Sequence, residues 1–267
     1  MFKKFLGPIY LILVLTFTSS VYSASDGSLD LSSKSNGKKI VVKDCFEKLN
    51  RGVFALNQGL DKVIFKPLAK GYRALPKPVR AGTSNALNNL SNVTTIPNNV
   101  LQGNFKDAGK NSLRLLINTT FGIGGLFDTA SYFGLEKNDK EDYGQTFGTW
   151  GIGEGCYFVL PVLGPTTVRD AAGSIVNVMG GDPWYNITVV NDTRFVGERD
   201  YYISRVLAGV DFRAKNLESF DSLEKSSVDL YASVRSLYLQ DRNRKIKNID
   251  KETETLSDDD WEELDTQ

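Results

Sequence analysis

The segment Asn118-Thr-Thr-Phe-Gly-Ile-Gly-Gly-Leu-Phe-Asp128 combines three glycines with four large apolar side chains in eleven residues. Glycine adopts backbone angles that other residues resist, so this composition is typical of a turn-rich insertion rather than of a regular helix. Residues 144–164 repeat the combination and contain the seven-residue apolar run Tyr157–Leu163. The remaining pattern is helical, so the sequence predicts a mostly α protein with two Gly-rich apolar insertions.

Upstream of this segment, apolar residues recur at intervals of three and four from Phe46 to Phe65, which is the pattern of an amphipathic helix. Asp44 and Glu47 have the spacing of a capping box at its start. Further helices are predicted over residues 79–90, 98–101 and 107–118. The last of these carries three leucines and an isoleucine, and we expect it to be buried.

Downstream of the second insertion, the pattern is again helical. A short helix is expected after Thr167, and two long amphipathic helices are predicted over residues 195–216 and 221–248. Asp221 and Glu224 have capping-box spacing, which predicts that the last helix begins there.

The two ends of the chain differ from its middle. A basic start and the thirteen-residue apolar run Phe5–Phe17 predict a secretory signal peptide over residues 1–23. A Ser/Gly/Lys-rich linker is predicted over residues 24–39, and one helical domain over residues 40–247. Residues 248–267 contain nine acidic residues against one lysine, so a disordered acidic tail is expected.

The composition argues against several classes of function. The 32 basic and 32 acidic residues give a formal net charge of zero, which gives no reason to expect a nucleic-acid partner. The chain contains no histidine, the commonest general base and metal ligand, and no Gly-x-Ser-x-Gly motif. Its two cysteines are too far apart in sequence to form a metal-binding pair. We therefore expect no catalytic residues, no metal and no cofactor.

Several short motifs follow one another in the order found in the MlaA (VacJ) family, and the chain resembles that family over residues 44–245. The motifs that carry the resemblance are Asp44–Arg51, Leu101–Gly103, Asn118–Asp128, Tyr143–Gly148, Gly151–Pro161 and Tyr238–Arg242. Each motif is short, but their number and order make the resemblance specific.

The resemblance implies a single ring-shaped domain of amphipathic helices, with Gly-rich apolar hairpin insertions, at the periplasmic side of the outer membrane. It implies a non-enzymatic channel that extracts mislocalised phospholipid from the outer leaflet and so maintains lipid asymmetry. Implied partners are phospholipid, an outer-membrane porin trimer and a periplasmic lipid carrier of the Mla type. One departure is that no cysteine follows the apolar run, so attached lipid is not predicted.

The resemblance also suggests residues for the site. The Gly-rich segment is expected to gate the lipid channel, with plain core packing as the alternative. Its candidate residues are Phe121, Gly122, Gly124, Gly125, Leu126, Phe127 and Asp128. A second polar set either holds the helices together or contacts lipid phosphate, for which arginine is well suited. These residues are Asn50, Arg51, Arg169 and Asp170.

Cys45 and Cys156 both stand where the family motifs carry proline. The paired change suggests that the two positions are neighbours, and an exported protein meets an oxidising compartment. We therefore expect a disulfide between them, with two inert buried thiols as the alternative.

Two other functions remain open at this point. The missing lipoprotein cysteine is compatible with a soluble periplasmic lipid-binding carrier, and a porin-associated structural scaffold is a further alternative. Carbonate washing separates a membrane-embedded channel, which stays in the pellet, from a soluble carrier, which is released.

Overall fold

The computed structural model describes residues 42–191 and 196–247, which belong to one structural unit. The predicted signal peptide, linker and acidic tail lie outside the described residues. Most of the described chain is helical, with one small two-stranded sheet, so the predicted fold class is confirmed.

Eleven α-helices and two strands follow one another among the described residues. The helices are α1 (Glu47–Leu60), α2 (Lys66–Arg73), α3 (Lys77–Leu101), α4 (Phe105–Thr120), α5 (Thr129–Tyr132), α6 (Tyr143–Thr149), α7 (Val168–Val176), α8 (Pro183–Tyr185), α9 (Glu198–Lys215), α10 (Leu217–Ser226) and α11 (Leu230–Ile246). The strands are β1 (Tyr157–Leu160) and β2 (Gly164–Thr167). Short π-helical segments cover Asp61–Phe65, Asn177–Gly181 and Asn186–Val190.

Neither predicted capping box forms. The Asp44 carboxylate instead accepts hydrogen bonds from Asn50 Nδ2 at 2.7 Å and from the Tyr231 hydroxyl. Asp221 lies inside α10, where it accepts a bond from Lys66 Nζ at 2.8 Å. The predicted long last helix is therefore two helices, and the second is capped by Asp229. Long-range partners compete successfully for these carboxylates.

The predicted helices at 79–90 and 98–101 are one continuous helix, α3, with Pro97 in its interior. Proline removes a backbone donor and usually ends a helix. Here α3 packs along α4, with Asn111 Nδ2 donating to Asn99 Oδ1 at 2.9 Å. Tertiary packing thus overrides a local helix breaker.

The two strands pair in antiparallel register, with Tyr157 opposite Thr167. On its other side Tyr157 forms a parallel bridge with Asp44, so the residues next to these two are neighbours. Those residues are Cys45 and Cys156, which form a disulfide with their Cα atoms 5.6 Å apart. The start of α1 is thereby fixed to the sheet both covalently and by backbone hydrogen bonding.

The interior contains more polar and charged side chains than the interior of a typical soluble protein. On α4 the apolar side chains that were expected to be buried face outward instead. Leu113 and Leu116 are 52% and 61% exposed. Asn111, Arg114 and Asn118 face inward and are nearly fully buried. A helix surrounded by water would reverse this arrangement.

The same inversion is present on α1, α3 and α7, whose buried residues other than Gly173 are polar or charged. Buried apolar residues form two small clusters, one around Ala69 and Tyr72 and one around Tyr157. Large apolar side chains are exposed on α1, α4 and α9, and in the turns between helices. Among the helices of residues 42–191 and 196–247, none combines the length and the hydropathy that a membrane-spanning helix needs.

Candidate functional site

A stripe of asparagines marks the inner face of α3. Asn85, Asn88, Asn89 and Asn92 follow the i, i+3, i+4, i+7 spacing that places side chains on one side of a helix. All four line a cavity between α3, α4 and the chain that leads to α6. The stripe therefore gives α3 a polar inner face of hydrogen-bond donors and acceptors.

The cavity has a volume of about 70 Å³, and every residue that lines it is polar or charged. Three cations, Arg114, Lys137 and Lys140, lie at its walls with one carboxylate, Asp128. A site with this lining favours water or a polar, anionic group over a hydrocarbon chain.

The Gly-rich segment lies beside this cavity and consists of consecutive turns without paired strands. The backbone N–H groups of Gly124 and Gly125 donate to the carbonyls of Thr119 and Asn118, at 3.0 and 2.8 Å, and so end α4. Both glycines have positive φ, at 67° and 93°. The turn is thus a glycine-dependent helix end rather than the predicted hairpin.

The apolar side chains of this segment point outward. Phe121, Ile123 and Phe127 are 72%, 67% and 58% exposed. Their backbone is nevertheless closely packed: a Cβ on Gly125 would lie 2.7 Å from Cβ of Asn89. These aromatic and aliphatic groups therefore do not form core, while the glycines let the turn approach α3.

Asp128 ends the Gly-rich segment and anchors it to α4. Its carboxylate accepts hydrogen bonds from Arg114 Nη2 at 2.7 Å and Asn118 Nδ2 at 3.0 Å, and pairs with Lys137 Nζ at 3.1 Å. Burial raises the pKa of Asp128, but these donors, together with Ser131, lower it to about 2. The anchor is ionised at neutral pH.

Asn50 and Arg51 lie away from the cavity. Asn50 Nδ2 donates to the Tyr157 carbonyl at 3.2 Å, and its Oδ1 accepts from the Val159 N–H at 3.0 Å, which ties α1 to β1. Arg51 donates two hydrogen bonds to Asp229, at 3.1 and 2.7 Å, and so links α1 to the start of α11. Both residues join elements of the fold.

Arg169 and Asp170 belong to a buried network with residues from two other elements. Arg242 of α11 donates to Asp170 Oδ1 at 2.8 Å and to Asp142 Oδ2 at 2.6 Å. The Tyr238 hydroxyl donates to Asp170 at 2.5 Å. Burial raises the pKa of Asp142, but its bonds from Arg242 lower it to about 2. The network connects α6, α7 and α11.

The structure does not bring the predicted site residues into one place. The Gly-rich segment adjoins the cavity, whereas the two polar pairs lie at α1 and α7. The asparagines of α3 and Lys140 are not among the residues predicted from the sequence. The helical spacing from Asn85 to Asn92 is the sequence signal that could have identified the asparagines.

Comparison with known proteins identifies the family that this chain resembles in sequence. The model of the MlaA lipoprotein family matches residues 42–245. An intermembrane phospholipid transport system lipoprotein, MlaA, of Haemophilus influenzae is 31% identical over 227 residues, which cover 83% of this chain and 87% of that protein. The protein of the same description from Escherichia coli K12 is 32% identical, covering 74% and 76% of the two chains.

A solved structure is also similar. It was determined in a study of the structural basis for maintenance of bacterial outer membrane lipid asymmetry. The match has a TM-score of 0.66 at 30% sequence identity and covers 76% of this chain and 99% of that one.

Proposed function

This chain belongs to the MlaA family, and we propose that it transports phospholipid at the outer membrane and thereby maintains the lipid asymmetry of that membrane. It acts as a passive channel rather than as an enzyme. It takes mislocalised phospholipid from the outer leaflet and releases it toward the periplasm.

The observation that carries this proposal is the inverted distribution of polar and apolar side chains. Exposed apolar residues such as Leu116 and Phe121 favour contact with acyl chains over contact with water. The buried amides and ion pairs offer a polar environment, which lowers the cost of moving a charged headgroup through hydrocarbon. A soluble periplasmic carrier would be expected to expose much less apolar surface to water.

The Gly-rich segment, residues 121–128, is proposed to act as the gate. Its apolar side chains are exposed, while its backbone is held by the α4 helix end, by Asp128 and by a hydrogen bond from Asn85 Nδ2 to the Leu126 carbonyl at 3.3 Å. Because its apolar side chains are exposed and are not part of the core, the segment can change conformation without unfolding the helices around it. The glycines with positive φ supply the backbone freedom that such a change requires.

We further propose three relations to other components. The protein resides at the periplasmic side of the outer membrane, where its exposed apolar side chains contribute to attachment. It passes lipid to a periplasmic carrier of the Mla type, and it sits beside a porin trimer. Both partners are suggested by the family resemblance, and the naming of its relatives as part of a transport system supports the first.

The proposal is tested in a Gram-negative strain that lacks its own MlaA protein. A reagent that reacts with amines but does not cross the outer membrane labels the phosphatidylethanolamine exposed on intact cells. Expression of this chain should return the labelled amount to that of the parent strain. Unchanged labelling, with the protein present in the membrane fraction, would contradict a role in lipid asymmetry.

The gate is tested with a matched pair of variants, Gly124→Val and Gly103→Val. Both glycines have positive φ, at 67° and 79°, and open space where a side chain would begin. The two substitutions therefore introduce similar strain, about 1–2 kcal/mol. Only Gly124→Val should impair the rescue of lipid asymmetry; equal impairment by both would assign the effect to folding.

Carbonate washing tests the carrier alternative. The channel should remain in the membrane pellet, and release of the wild-type protein by the wash would favour a soluble carrier.

A further inference from the structure

Resting on the proposed function, we propose that the asparagine-lined cavity beside the Gly-rich segment is a binding site for the phosphodiester headgroup of a phospholipid. Lys140 supplies the positive charge, and the amides of α3 supply directed hydrogen bonds. The site would hold a headgroup next to the gate during transfer.

The first argument is the free hydrogen-bonding capacity of the cavity wall. Asn89 is 6% exposed, and its Oδ1 has no hydrogen-bond partner among the described residues. The side chains of Asn88 and Asn92 also line the cavity, and neither bonds to another group in the described ranges 42–191 and 196–247. Buried polar groups are normally satisfied, so this wall is suited to a polar ligand or water.

The second argument is charge. Lys137 pairs with Asp128, but Lys140 forms no ion pair with any described residue. The Lys140 side chain is exposed to solvent, but partial desolvation lowers its pKa, and the nearby cations Lys215 and Lys245, from α9 and α11, lower it further while Asp211 opposes them. A cation in this position is stabilised by a bound anion.

The third argument is the size and the mixed character of the site. A volume of about 70 Å³ accommodates a phosphate group but not an acyl chain. The phosphodiester carries one negative charge, which Lys140 and the amide N–H groups can bind. The amide oxygens of Asn88 and Asn92 can accept from an ammonium or hydroxyl group, which phospholipid headgroups also carry.

The position of the cavity links binding to the gate. A Cβ on Gly125 would lie 2.7 Å from the Asn89 Cβ and equally close to its Nδ2. A headgroup bound to Asn89 would therefore touch the residue against which the Gly-rich turn is packed. A bound headgroup that shifts Asn89 would therefore change the conformation that residues 121–128 adopt.

The binding test uses the full-length protein in detergent micelles and three probes. These are glycerophosphoethanolamine, inorganic phosphate, and mixed micelles that contain phosphatidylethanolamine. Binding is followed by broadening of the ³¹P NMR signal. The wild type should bind the glycerophosphodiester and the lipid in competition with each other, and inorganic phosphate more weakly.

The variants are Lys140→Gln, Lys140→Arg and Asn92→Leu, with Lys106→Gln as the control for charge. Lys106 is an exposed lysine of α4 that does not line the cavity. Loss of one charge-assisted hydrogen bond should weaken headgroup binding about tenfold in Lys140→Gln. Asn92→Leu should also weaken it, Lys140→Arg should restore most of it, and Lys106→Gln should leave it unchanged.

Two outcomes would overturn the site. Equal binding by Lys140→Gln and wild type would exclude the cavity, and tight binding of inorganic phosphate without competition from lipid would make it a phosphate site. The cell assay keeps this test separate from the proposed function. Rescue of lipid asymmetry by wild type and Lys140→Gln alike refutes only the cavity, whereas failure of the wild type refutes the function.

Discussion

Arg242 joins three elements of the fold, and we expect Arg242→Met to cause a large loss of stability. Its guanidinium donates to Asp142 at 2.6 and 2.9 Å and to Asp170 at 2.8 and 3.1 Å. Methionine keeps much of the side-chain length but none of the donors. The buried Asp170 would then keep only Arg169 as a cation partner, and the partly exposed Asp142 would lose its ion pair.

The magnitude follows from the cost of breaking the buried ion pair between Arg242 and Asp170. Removing one partner of a buried ion pair costs about 3–5 kcal/mol. For a domain of this size, 1 kcal/mol corresponds to about 2–4 °C in Tm, so a decrease of about 6–20 °C is expected. Lys245→Met, which removes a partly exposed pair with Asp241, is the control and should cost at most about 1 kcal/mol.

The pH dependence provides an independent measurement. Because the pKa of Asp142 is lowered to about 2 in the folded wild type, its contribution is present above pH 4 and lost as pH falls toward 2. In Arg242→Met, burial would still raise that pKa and only the hydrogen bonds from Gln145 would oppose it, so protonation relieves the unpaired charge. The deficit relative to wild type should therefore shrink between pH 7 and pH 4.

Thermal unfolding followed by circular dichroism in detergent measures both effects. A decrease in Tm below about 2 °C at pH 7 would refute the structural role of Arg242. A deficit that stays constant from pH 7 to pH 4 would refute its electrostatic explanation.

Three further predictions concern the described residues. Gly122→Ala should be more destabilising than Gly124→Ala in thermal melts, because a Cβ on Gly122 would lie 2.2 Å from a backbone oxygen whereas Gly124 faces open space; equal melts would refute the packing. Reduction of the Cys45–Cys156 disulfide should destabilise by up to about 4–5 kcal/mol, seen as a lower Tm with reductant in wild type but not in the double alanine variant. Burial raises the pKa of Glu141 to about 7 although its hydrogen bond from Gln102 lowers it, so the stability of the wild type falls as pH rises from about 4.5 through 7. Glu141→Gln should therefore raise Tm at pH 8 and change it little at pH 4; no gain at pH 8 would show that the carboxyl is well solvated.

Local sequence patterns identified most helices but not all their ends. The periodicity of α1 and α4 predicted both helices, and Thr167 was correctly followed by a short helix. The capping boxes at Asp44 and Asp221 were wrong because distant side chains bind those carboxylates. Such competition depends on which segments meet in three dimensions, and local spacing carries no record of it.

The candidate site was predicted only in part. The motifs of the Gly-rich segment located the turn beside the cavity, since glycine at positive φ leaves a recognisable composition. The asparagines of α3 and Lys140 were missed because each is an ordinary polar residue in its local sequence, the asparagines in a helix and Lys140 in the chain before α6. Their convergence requires α3, α4 and the chain before α6 to pack together.

By itself, the sequence determined the helical class and the family, because periodicity and ordered motifs are properties of the linear chain. Comparison with the family motifs also led us to expect the pairing of its two cysteines. The tertiary structure decided which face of each helix is buried. Amphipathic spacing gives two faces but not the solvent that each one meets. On α4, Arg114 faces inward because it forms an ion pair there with Asp128. Leu113 faces outward, where an apolar face is suited to contact with lipid.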